Sequence, residues 1–155
     1  MGSSVQPPPL VPLFRIELDL ADPLVLFTHL GTRSHVAVTS GRFEGARLSG
    51  TVLPGGGDWL LIDAAGIWHI DVRVVLRIHD GPLVTSTYRG RVRMPEGGLE
   101  RALAGDTIAA DEMYFRTAPT FETEPGDYDW LNSVQAIAVG ALGPGSVTYD
   151  VFEVT

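Results

Sequence analysis

The chain has 155 residues, a formal charge of −8, 45% hydrophobic residues, 18 glycines, 11 prolines and no cysteine. That length suits one domain with a real core, and the acidic balance argues against a nucleic-acid partner, because binding phosphate needs concentrated basic residues. Disulfides and thiolate chemistry are excluded, and no apolar run approaches the ~18 residues of a membrane-spanning helix.

Residues 1–12 are Ser- and Pro-rich, with Pro7, Pro8 and Pro9 in a row, and read as an extended, flexible leader before a single domain at 13–155. They lack the basic patch and apolar core of a secretory signal, which with the missing cysteines points to the cytoplasm. Residues 14–20 alternate apolar and charged side chains, the signature of a half-buried strand. Residues 35–39, 47–53 and 59–63 are further strand candidates, and 24–27 form an apolar stretch of strand size. In 68–78, Trp68, Ile70, Val72, Val74, Leu76 and Ile78 share one side, while His69, Asp71, Arg73, Val75 and Arg77 share the other. His79-Asp80-Gly81-Pro82 supplies a turn, and 83–93 returns as the hairpin partner. Arg89, Arg91 and Arg93 then form a stripe on one strand face. Only 99–104 suggests a helix, and 113–117, 133–142 and 146–154 complete the strands. Many short strands punctuated by glycine indicate an all-β, antiparallel fold, with a barrel favoured over a sandwich because closure removes exposed edges.

Three segments concentrate chemistry. Pro54-Gly55-Gly56-Gly57-Asp58-Trp59 lacks the Lys-Ser/Thr of a phosphate-binding loop, and reads either as a hairpin turn with Trp59 in the core or as pocket lining. Tyr114 and Arg116, with Glu122 beyond the Pro119 break, can share a face as an ion pair or present charge to a ligand. Tyr128, Trp130 and Asn132 form a polar-aromatic cluster typical of pockets and of barrel plugs alike. Asp71 and Arg73 belong to a polar interior if their strand face points inward, and are solvated if it points outward. His29, His35, His69 and His79 show no metal-ligand spacing, and no Gly-x-Ser-x-Gly occurs, so neither a metal nor another cofactor is expected.

Gly41-Arg42-Phe43-Glu44-Gly45, Gly55-Gly56-Gly57-Asp58-Trp59, Asp71-Val72-Arg73, Tyr114-Phe115-Arg116-Thr117, Phe121-Glu122-Thr123, Trp130-Leu131-Asn132 and the closing Tyr149-Asp150-Val151-Phe152-Glu153-Val154 occur in this order. Together they resemble the bacterial and fungal family catalogued as domain of unknown function 3237, from about residue 13 to residue 154. Ser40 and Ala46 depart from the glycine and proline expected beside Arg42 and Gly45. The resemblance implies a lipocalin-like or allene-oxide-cyclase-like β-barrel with the marked residues around one cavity.

The expected function is a cofactor-independent cyclase, isomerase or hydratase/lyase acting on a small, partly apolar metabolite. Glu122, Arg116 and Asp71 are the candidate catalytic residues, with Asp58, Trp59, Arg73, Tyr114, Tyr128, Trp130 and Asn132 binding substrate. The alternative is a non-catalytic, lipocalin-like binding protein. A cavity below roughly 300 Å³ would instead favour a barrel filled by its own side chains. The partner in view is a small molecule, with neither nucleic acid nor membrane, and self-association is left open.

Overall fold

The computed structural model describes every residue except Met1 and Ser3. Eleven strands form: β1 (Leu10–Leu20), β2 (Leu24–Thr28), β3 (Gly31–Glu44), β4 (Ser49–Val52), β5 (Gly57–Ile62), β6 (Trp68–Ile78), β7 (Leu83–Arg93), β8 (Tyr114–Thr117), β9 (Thr120–Thr123), β10 (Ala136–Gly143) and β11 (Ser146–Val154). A short helix α1 (Gly98–Leu103) follows β7, and a 3-10 turn (Asp129–Ser133) precedes β10. Eight strands close a ring of antiparallel pairs in the order β1-β3-β5-β6-β7-β8-β10-β11, with β11 returning to β1. No sheet edge remains within that ring, which is the physical gain of closure.

Alternation sets which side chains fill the barrel. On β6, Val72, Val74, Leu76 and Ile78 are all at most 3% exposed, while the outward Arg73 and Arg77 lie in solvent. Burying each such aliphatic side chain contributes about 1.5–3 kcal/mol. The β6–β7 hairpin pairs Trp68 with Val92 and Arg77 with Leu83, and Asp80 takes the left-handed conformation at its turn (φ 54°), which aspartate tolerates.

The lower end of the barrel is closed by aromatics. Phe14 meets Phe43 at 5.5 Å and Phe121 at 5.9 Å between ring centroids, and the fully buried Leu131 of the 3-10 turn belongs to the same core. There β4 takes the place of β5 between β3 and β6, and β9 pairs with the start of β7. At the upper end the segment after β7 folds back, and Ile108 exchanges both backbone hydrogen bonds with Leu142.

The expected leader is partly strand. Leu10 to Pro12 belong to β1 and pair with β11, where the register shift between Pro12 and Phe14 accommodates a residue with no N–H. Met1 and Ser3 of that leader lie outside the described residues. The helix expected at 99–104 forms one residue earlier. Residues 133–135, expected in a strand, belong to the end of the 3-10 turn and its exit. Among the described residues no helix is long and apolar enough to cross a membrane.

Candidate functional site

Asp58 enters the barrel because of what precedes it. Gly55 adopts φ 108°, a conformation that side chains rarely take, and a Cβ on Gly56 would collide with the Arg73 carbonyl. This close passage against β6 delivers β5 with Asp58 and Leu60 facing inward and Trp59 outward. In the cross-strand rows, Asp58 stands opposite Val36 on β3 and Val72 on β6, and Val72 in turn stands opposite Tyr88 on β7.

Asp58 therefore lines an apolar cavity of about 90 Å³ inside the upper half of the barrel. It is the one carboxyl in that lining among the described residues; Tyr88 and Tyr149 supply phenols, and half-buried Leu20, Val36, Trp68 and Leu142 mark the open end. Burial pushes the Asp58 carboxyl from 3.8 up to about 6, and the nearby Asp71 charge adds to the rise. The Asp71 backbone N–H, which donates to Asp58 Oδ1 at 3.0 Å, opposes it.

Tyr88 and Tyr149 meet edge-to-face, their ring centroids 5.2 Å apart, and Phe115 packs on Tyr149 at 5.3 Å. The two tyrosines also line a second, smaller void of about 20 Å³ below, so they form the partition between the two spaces. Both hydroxyls are held far above the usual phenol range by burial. Each phenol also feels the Asp58 charge, and Tyr149 feels Tyr88. Both therefore stay protonated donors throughout the physiological range. The buried Tyr88 hydroxyl makes no hydrogen bond of good geometry, although the Tyr149 hydroxyl stands near enough to act on it as a hydrogen-bonding neighbour; Thr117 Oγ1 across the lower void has no partner. Unsatisfied buried hydroxyls are rare enough to call for a reason.

Only Asp58, of the residues expected to share a cavity, lines it. Because Ile70 and Val72 point inward, Asp71 and Arg73 point outward, and Asp71 approaches Arg89 at 3.7 Å. Phe115 and Thr117 face inward, which turns Tyr114 and Arg116 out; Arg116 lies over the Tyr114 ring at 5.0 Å. Phe121 faces inward and exposes Glu122, which shares an open outer groove of about 460 Å³ with Arg73. Trp59, 47% exposed, is a plug for neither core nor cavity and packs instead on His35 at 4.6 Å. Tyr128 lies against the Gly81 turn, Trp130 is covered by the Arg47 guanidinium at 3.5 Å, and Asn132 clamps the Thr123 backbone.

The tyrosines share the apolar phase of their strands, in Val84-Ser86-Tyr88 and Val147-Tyr149-Val151. Hydroxyls on an otherwise apolar phase were the available signal. Among the described residues no group of three or more His, Asp or Glu gathers as a metal site requires.

A family model described as "Protein of unknown function (DUF3237)" matches residues 8–154. The chain belongs to that family. It is similar to a UPF0311 protein of Clostridium acetobutylicum, 26% identical over 92% of each chain. Among solved structures, a conserved protein of unknown function from Rhodopseudomonas palustris superposes with a TM-score of 0.91 at 25% identity, covering 97% of this chain and all of that one. A β-barrel-like protein from Acinetobacter baumannii gives 0.84 at 30% identity, covering 99% and 100%. A protein described as an enzyme from Penicillium herquei shares the fold, with a TM-score of 0.75 at 20% identity over the full length of both chains.

Proposed function

We propose that this barrel is a cofactor-independent enzyme that moves a proton on a small, largely apolar carbonyl compound, as an isomerase, cyclase or hydratase does. The observation that carries the proposal is a carboxyl inside an apolar cavity, its pKa raised to about 6, facing the same space as two protonated phenols. A carboxylate titrating near working pH is suited to general-base catalysis. Asp58 takes a proton from the carbon beside the carbonyl, and the electron pair moves onto the carbonyl oxygen to give an enolate. A tyrosine hydroxyl donates to that oxygen in a dry site, where such a bond is worth most. Where the substrate carries a carbon–carbon double bond next to that carbon, the enolate is conjugated through it, and the protonated Asp58 returns the proton at the far end of the conjugated system, which shifts the double bond and completes an isomerisation. Asp71 contributes through its backbone N–H, which holds the carboxylate in place. The fold relative described as an enzyme provides a precedent for catalysis on such a barrel.

The interior volume of about 90 Å³ is below the roughly 150 Å³ that accommodates a benzene ring. It fits the reacting end of a substrate, with the remainder passing the Trp68 rim. Volume by itself favours the second reading, a barrel filled by its own side chains. Against that reading stands an ionisable carboxyl, costly inside a barrel that has no use for it.

The test is deuterium exchange from D₂O into a panel of small enolisable ketones, followed by NMR. The expected result is exchange by the wild-type chain, rising with pH around a midpoint of about 6, and a loss of roughly 10²–10⁴-fold in Asp58→Asn. Full activity in Asp58→Asn, or ketones bound tightly and recovered without label, would reject catalysis at this site.

A further inference from the structure

β2 lies outside the closed ring. It hydrogen-bonds to β3 and to no other strand among the described residues, which leaves one edge of backbone N–H and C=O groups unpaired. All five of its residues are exposed, including Leu24 at 69%, Leu26 at 62% and Phe27 at 87%. Natural edge strands are blunted by charged side chains, proline or bulges, because a flat apolar edge recruits another strand. Leu24–Thr28 carries no charge and no proline, and its five-residue register with β3 has no bulge. An edge of this kind, placed on a chain of net charge −8, is built to be covered.

From this geometry we infer that β2 is the seat of a second copy of this chain, joined antiparallel edge to edge about a two-fold axis at Leu26. The strand is self-complementary in that arrangement. Val25 faces the partner's Phe27, and Phe27 faces the partner's Val25. These are aromatic to β-branched pairs, among the favourable cross-strand combinations. Leu26 meets the partner's Leu26 on the opposite face. With no charge on the strand, the two-fold brings no like charges together, and an isologous contact closes at two copies instead of growing into a fibre.

The side chains beside the edge are apolar as well. Leu24, Val25, Leu26 and Phe27 on the strand and Leu30 just beyond it are each about half or more exposed, so apolar side chains flank the backbone edge that would pair. A row of cross-strand neighbours runs Phe27-Thr32-Ile62-Trp68, so the proposed interface stands beside the mouth of the Asp58 cavity. The pairing itself is independent of any chemistry at Asp58.

Sedimentation velocity on the full chain at tens of micromolar tests the inference. The expected species has twice the 16.7 kDa chain mass, and Leu26→Glu is expected to be monomeric with an unchanged far-UV circular dichroism spectrum. A second variant covers the case in which that one folds poorly. Leu26→Cys introduces a cysteine into a chain that has none, and mild oxidation is expected to give a covalent dimer far faster than for Leu103→Cys on the exposed end of α1. A wild-type monomer at these concentrations overturns the inference, as does a dimer that survives Leu26→Glu or equal cross-linking of the two cysteine variants. A monomer that co-sediments with phospholipid vesicles also overturns it, assigning the edge to a lipid surface.

Discussion

Asp58 is held where its charge is unwelcome, and the cost is readable through pH. The folded chain binds the Asp58 proton more tightly than the unfolded chain, whose carboxyl titrates near 3.8. This group's contribution to stability is therefore most favourable below that value and is lost as pH rises through about 6. Asp58→Asn keeps an oxygen to accept the Asp71 N–H but cannot ionise. It is expected to stabilise the fold by about 2 kcal/mol at pH 7–8, with the gain vanishing at pH 4, in denaturant titrations run at each pH. Tyr88 poses the complementary case. Its buried hydroxyl makes no hydrogen bond of good geometry and has the Tyr149 hydroxyl beside it, so Tyr88→Phe is expected to leave stability unchanged or raise it by about 1 kcal/mol. The same change is expected to slow ketone exchange roughly 10²-fold, because it removes an oxyanion donor. A residue whose removal helps folding and harms turnover is the mark of a working site. A loss of stability with unchanged exchange would give Tyr88 a packing role alone.

At the scale of elements, hydrophobic period was the strongest signal. The limits of β6, β7 and β11 follow from strict alternation flanked by turn residues, and their bounds in the structure agree with the sequence reading. The missed β9 has four residues and starts directly after Pro119, too short for a periodic pattern to emerge. Its position depends on a distant side chain: Asn132 Oδ1 accepts from the Thr123 N–H at 2.8 Å, and Asn132 Nδ2 donates to the Thr123 carbonyl at 3.2 Å. The amide thus acts as one residue of a neighbouring strand. Asn132→Ala is expected to cost about 1 kcal/mol and to speed hydrogen exchange at Thr123, while exchange in β6 stays unchanged. The same residue read from sequence as a pocket amide, because an Asn beside Trp130 has the composition of either.

For the whole molecule, closure joins the ends of the chain. β1 pairs with β11 along nine positions, stitched on the outside by the Arg15–Asp150 ion pair at 3.0 Å, whose exposure makes it worth little by itself. Stability resides in the filled interior, which the whole ring shares. Leu76→Ala, at a position 1% exposed, is expected to cost about 3 kcal/mol. Tryptophan fluorescence, which reports both ends of the barrel through Trp68 and Trp130, and circular dichroism are expected to show one coincident transition. Separate transitions would mean that the two ends unfold independently.

What the sequence by itself determined was the all-β class, the β6–β7 hairpin, the family and the presence of Asp58 in a segment of unusual chemistry. These depend on local alternation, turn residues and ordered motifs, all of which act over a few neighbouring residues. Only the tertiary structure decided which phase of each strand faces inward once the ring closes. That choice sent Arg116, Glu122, Asp71 and Arg73 to the outer surface. It brought Asp58, Tyr88 and Tyr149 from three sequence-distant strands around one cavity. The physical reason is that inward and outward are properties of the closed sheet: a strand's alternation marks two faces, but packing against seven others selects the one that is buried.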